Sequence, residues 1–125
     1  MSITTYLFDF DDTLISTKIY AEIYEPILKM IQKKLNLTNE EINEKAIEGG
    51  FRKNNIGCWD SGDLCREWGL VEEYYRVLGK HIDVIPVLHD TVIELFKRIK
   101  SDKKRIGIVS NSMQRTIRLY LEKYY

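Results

Sequence analysis

Two short apolar segments, residues 4–9 and 105–109, flank a long stretch of helical periodicity, and this arrangement most restricts the fold. Both are apolar without clean alternation, the pattern of strands buried on both faces. Parallel neighbours need a crossover, normally a helix, and a helical segment directly precedes the second strand. The order strand, helices, strand, helix therefore predicts an α/β domain with a parallel sheet. The block from Ser16 to Val87 is too long for a simple crossover. It reads as an insertion, so the expected organisation is a core of residues 1–15 and 88–125 with a helical unit at 16–87.

Local signals divide the helical stretch. Ile19, Ile23, Ile27, Met30 and Ile31 recur at helical spacing over residues 17–35, with Pro26 expected to break or kink the helix. Thr38-Asn39-Glu40-Glu41 is a capping-box pattern, and Gly49-Gly50 should end the helix it opens. A loop from Phe51 to Asp60 follows, and Asp60 or Ser61 should cap a short helix ending near Gly69. The next helix, about 71–81, carries Val71, Tyr74, Tyr75 and Leu78. Pro86 precedes a helix over 89–100 whose expected buried stripe is Val92, Leu95, Phe96 and Ile99. The last helix starts near Met113 and presents Ile117, Leu119, Tyr120 and Leu121.

Composition narrows the function classes. The chain is 44% hydrophobic and 30% charged over 125 residues, enough for a packed core. Lys plus Arg equals Asp plus Glu at 19 each, which leaves no electrostatic footprint for nucleic acid or an anionic membrane. The start lacks a basic leader, and no apolar run approaches the roughly 20 residues of a membrane helix. A soluble, cytoplasmic protein is expected. Cys58, Cys65, His81 and His89 match no compact zinc spacing, so Cys58 and Cys65 are expected as reduced, partly buried thiols.

The chemistry concentrates where the first strand ends, at Phe8-Asp9-Phe10-Asp11-Asp12-Thr13-Leu14. Ligands of open α/β sheets bind outside the carboxyl ends of the strands. Asp9 and Asp11 are two apart and lean the same way in an extended segment. Converging carboxylates repel unless a cation lies between them or one keeps its proton. Both remedies suit magnesium-assisted phosphoryl transfer. Asp and Thr are also common helix caps, but three acids within four positions exceed what a cap requires.

This run resembles the first signature motif of the haloacid dehalogenase-like (HAD) hydrolases, an apolar strand followed by Asp-x-Asp-x-Thr and Leu or Val. The resemblance implies a parallel-sheet core of Rossmann type. It makes Asp9 the nucleophile that forms an aspartyl-phosphate, and Asp11 the acid that protonates the leaving group and then activates water. Asp9 through its carboxylate and Asp11 through its backbone carbonyl would hold Mg2+, and Thr13 would brace the loop on the phosphate side. An acid at position 11 favours a phosphatase over a dehalogenase. Ile106-Gly107-Ile108-Val109-Ser110-Asn111 looks like the second motif, with the Ser110 hydroxyl and the Asn111 N–H as donors to the phosphoryl group.

The helical block resembles a C1-type cap of the phosphoglycolate-phosphatase-like branch. Arg52, Lys53 and Trp59 could contact substrate, although packing of Trp59 and solvation of the two cations fit better. The family's later Lys and acidic motifs have no match: after Ser110 the only Lys is Lys123 and the only acid is Glu122, both readable as solvated helix positions. The expectation is a core left incomplete, finished by a further C-terminal segment or a partner chain. The leading function is a phosphatase acting on a small phosphorylated metabolite. The alternative is a truncated or degenerate domain that binds phosphate or a protein partner without turnover. A receiver-like domain also clusters acids at strand ends, but a long helical insertion behind them fits it badly.

Overall fold

The computed structural model describes residues 2–84 and 88–124. Two strands and six helices follow the expected order. They are β1 (Thr5–Phe8), α1 (Lys18–Leu35), α2 (Asn39–Glu48), α3 (Ser61–Glu67), α4 (Val71–Ile82), α5 (Asp90–Ser101), β2 (Arg105–Ile108) and α6 (Gln114–Tyr124). The chain forms two compact units, residues 1–19 with 82–125, and residues 20–81. Pro86 and the boundary drawn at Val87 lie outside the described residues.

In the first unit β1 and β2 pair in parallel, with Thr5 opposite Arg105 and Phe8 opposite Ile108. Among the described residues the sheet has these two strands. The expectation of strands buried on both faces is overturned. Leu7 is 69% exposed and Val109 64%, and no residue of either strand is fully buried. Alternation explains the asymmetry. Phe8 packs on Phe96 of α5 with ring centroids 5.4 Å apart. Leu7 points the other way, where its side chain fills the space that a Cβ on Gly107 would enter.

The core of this unit lies against the helices. Val92, Phe96 and Ile99 form the buried stripe of α5, but Leu95 is 41% exposed, at the edge rather than in the stripe. The one-residue step from Phe96 turns Leu95 about 100° away, beyond the strip that β2 and Phe8 cover. After β1 the chain turns and bridges back on itself: Ile15 pairs with Leu88 in antiparallel fashion. The segment leaving the unit and the one returning to it are thus neighbours. Near the end of α6, Lys123 is not a solvated helix position. Its Nζ donates to the Ile82 carbonyl at 2.8 Å and pairs with Asp83 at 3.2 Å. A cation is well placed at this carbonyl, that of the last residue of α4, which belongs to the first unit.

The second unit is helical. α1 continues through Pro26 as one element, so the expected break does not occur. The lost N–H bond is offset by burial on both sides of the proline, where Ile23, Ile27 and Ile31 are all inaccessible to solvent. The capping box of α2 forms: Glu41 N–H donates to Thr38 Oγ1 and Thr38 N–H to Glu41 Oε1, both at 3.2 Å. Thr38→Ala should lower stability by about 1 kcal/mol, readable as an earlier urea transition. A loss under a few tenths would show that the exposed box is already replaced by water. Asp60 caps α3 through Asp63 N–H.

Trp59 is buried, and its indole N–H donates to Asn43 Oδ1 at 2.9 Å while its backbone N–H donates to Tyr24 Oη. Lys53 lies over its ring at 5.2 Å, and Arg52 is exposed. Trp59 therefore packs. Cys65 is fully buried, and burial is the main reason its thiol is pushed up to about 12, with Glu73 and Asp60 adding to it. Such a thiol is inert at neutral pH. No described helix is long and apolar enough to cross a membrane.

Candidate active site at the strand ends

The site grows from one buried ring. Phe10 is inaccessible to solvent and stacks on Tyr120 of α6, with centroids 5.8 Å apart and planes 13° from parallel. Residues on either side of a buried position in extended chain must face outward. Asp9 is accordingly exposed and Asp11 half-buried. The Phe10 carbonyl then accepts the N–H groups of Thr13, Leu14 and Ile15 at 3.2, 2.9 and 3.3 Å. This closes a tight turn in which Asp12 takes a left-handed backbone (φ +57°), a conformation that Asp tolerates better than most residues. Asp12 Oδ1 accepts the Thr17 hydroxyl at 2.7 Å.

Each candidate residue has a definite place. Asp9 Oδ1 accepts the N–H of Phe10 at 2.8 Å. Asp11 Oδ2 accepts the hydroxyl of Ser112 at 2.8 Å, a bond between the loops that follow the two strands. Thr13 is exposed and braces the turn through its N–H. Ser110 Oγ accepts the N–H of Ser112 at 3.0 Å, so its own hydrogen remains to be donated. Asp9, Ser110 and Asn111 line one open cleft of about 440 Å³ with Leu7, Phe8 and Val109. Asp11 and Thr13 do not line it.

Ser112 was not among the expected site residues. The signal for it was slight, a second hydroxyl two positions after Ser110, and only the fold shows that it meets Asp11.

Among the described residues no three His, Cys, Asp or Glu side chains gather as a metal cage. Magnesium is commonly held by one or two carboxylates together with waters and substrate phosphate. Asp9 and Asp11 carry hard oxygens of the kind magnesium takes, but only Asp9 lines the cleft. The cleft brings Asp9, Ser110 and Asn111 together at the carboxyl ends of parallel strands, where open α/β sheets bind their ligands.

The family model of haloacid dehalogenase-like hydrolases matches residues 6–124. That span includes both strands, apart from Thr5, and all six helices. No curated protein and no solved structure matches the chain.

Proposed function

The chain belongs to the haloacid dehalogenase-like hydrolase family, and from that premise we propose that it is a magnesium-dependent phosphatase of a small phosphorylated metabolite. The observation that carries this reading is that Asp9, Ser110 and Asn111 line one cleft. Asp9 Oδ1 is engaged with Phe10 N–H, which leaves Oδ2 to attack phosphorus. The bond to the leaving oxygen breaks as the Asp9–phosphorus bond forms, and Asp11 gives that oxygen its proton. Asp11, now a carboxylate, takes a proton from water. The water oxygen attacks phosphorus, and phosphate leaves Asp9. The Ser110 hydroxyl and Asn111 N–H hold the equatorial oxygens throughout.

Magnesium, held by the Asp9 carboxylate and the Asp11 carbonyl, would when bound neutralise charge on the phosphoryl oxygens. We read the helical unit as an inserted cap of C1 type. The antiparallel bridge between Ile15 and Leu88, which brings together the two ends of the inserted block, supports that reading. A cytoplasmic site of action suits a free, small phosphorylated substrate.

The test is hydrolysis of an aryl phosphate by the chain with and without magnesium, repeated with Asp11→Asn. The substitution keeps shape but removes the transferable proton, and kcat should fall about 100-fold or more. Unchanged kcat would remove Asp11 from the chemistry. One observation favours a second reading, binding of phosphate without turnover: no third acid joins Asp9 and Asp11 among the described residues. Phosphate binding with no magnesium-dependent hydrolysis would establish that alternative.

A further inference from the structure

We propose that Leu7 and Val109 form an apolar wall that selects phosphate esters whose organic part is aliphatic rather than polyhydroxylated. The inference rests on the phosphatase reading of the cleft, and it adds the class of alcohol that is released.

Strand register builds the wall. Leu7 stands opposite Gly107 in the parallel pair, and in-register neighbours point to the same face of a sheet. The ladder runs one residue past β2, since Val109 N–H donates to the Phe8 carbonyl at 2.9 Å. Val109, two positions on from Gly107, therefore follows the Leu7 face. A Cβ on Gly107 would come within 2.6 Å of Leu7 Cδ2, so the leucine side chain leans across the glycine. Leu7 and Val109 are left 69% and 64% exposed. Single exposed aliphatic residues are ordinary. These two are not scattered, because both line the cleft that Asp9, Ser110 and Asn111 also line.

Size and polarity then point to a substrate class. The cleft holds about 440 Å³. A phosphoryl group takes the room of roughly three waters, at about 30 Å³ each, so most of the cleft receives the organic part. With phosphate at the strand ends, that part meets Leu7 and Val109, whose side chains offer no hydrogen bond. Hydroxyl groups placed against them lose water without gaining a partner. Methylene groups placed there remove apolar surface from water on both sides.

The experiment measures kcat and KM of the full chain, with magnesium, for n-propyl, n-butyl and n-pentyl phosphate and for glycerol 1-phosphate. All release a primary alcohol, so the chemistry at the leaving oxygen is closely matched. KM should fall about twofold per added methylene. That is less than the roughly fourfold of complete burial, because the cleft is open. Glycerol 1-phosphate should show kcat/KM about tenfold below n-propyl phosphate. Leu7→Thr combined with Val109→Thr should abolish the fall of KM along the series. Both side chains are largely exposed, so the double variant opens no cavity. A flat series in the parent, a slope that survives in the double variant, or a preference for glycerol 1-phosphate would overturn the proposal.

A second readout needs no turnover. In chain with 13C-labelled Leu and Val methyl groups, n-pentylphosphonate should move the Leu7 and Val109 signals, assigned by their loss in the two single variants. If they move but no ester is hydrolysed, the turnover reading fails and the apolar wall stands. If esters are hydrolysed and the signals stay in place, the wall alone fails. A parent that sediments as a dimer, with a monomeric double variant, would assign the wall to a second copy of the chain and would equally overturn the proposal.

Discussion

Asp9→Asn is expected to reduce magnesium-dependent hydrolysis of an aryl phosphate by roughly 10,000-fold or more, the scale on which removal of a covalent nucleophile acts. The substitution is nearly isosteric. The amide oxygen of Asn can still accept the Phe10 N–H that Asp9 Oδ1 accepts at 2.8 Å, so the turn should survive and thermal unfolding should shift little. On the proposed mechanism, what disappears is the anionic oxygen that bonds to phosphorus, together with one hard ligand for magnesium. The loss should therefore fall on kcat. A second readout separates nucleophile from ligand. Brief incubation of the parent chain with a phosphoryl-labelled substrate should leave acid-stable, hydroxylamine-labile label on the protein, as an acyl phosphate does, and Asp9→Asn should carry none. Retained activity, or label that persists in the variant, would move the nucleophile elsewhere.

What could be read from the sequence, and what could not, divides by the range of the interaction. The capping box at Thr38 and Glu41 and the cap at Asp60 rest on bonds three residues long, and both form as read. The placement of the two acids was legible only in part: Asp9 is exposed and lines the cleft, while Asp11 is half-buried and does not. Leu7 shows the limit: an apolar strand residue signals a wish for cover, but cover comes from whichever elements pack beside it, and here Leu7 is 69% exposed. Leu95 fails for the same reason at smaller scale, since helical spacing gives the direction of a stripe but not its width. At Pro26 the local rule allowed a break or a kink, and α1 runs through it unbroken between buried isoleucines. Lys123 and Ser112 meet partners 40 or more positions away. No pattern within a helix or a loop encodes such a meeting.

Phe10→Ala should be the most damaging single substitution in the first unit, because this one residue joins the core to the site. The ring is inaccessible to solvent and stacked on Tyr120, and emptying such a position typically costs about 3–5 kcal/mol. That is a large part of the whole stability of an ordinary domain. The backbone consequence is local. With the ring gone, nothing fixes the carbonyl that accepts Thr13, Leu14 and Ile15, and the turn presenting Asp9 and Asp11 loses its anchor. Hydrogen exchange at those three amides should accelerate about 100-fold to 4,000-fold, the equivalent of the lost stability. Both tryptophans, Trp59 and Trp68, lie in the other unit, so their fluorescence gives a separate probe of whether that unit keeps its packing. Phe10→Leu, which keeps apolar volume but not the stack, should fall between parent and Ala in both exchange and hydrolysis. Activity should track amide protection across the three proteins, since the same carbonyl sets both. Exchange at Thr13, Leu14 and Ile15 that does not change in Phe10→Ala would show that the turn is held by its own hydrogen bonds and not by the ring beneath it.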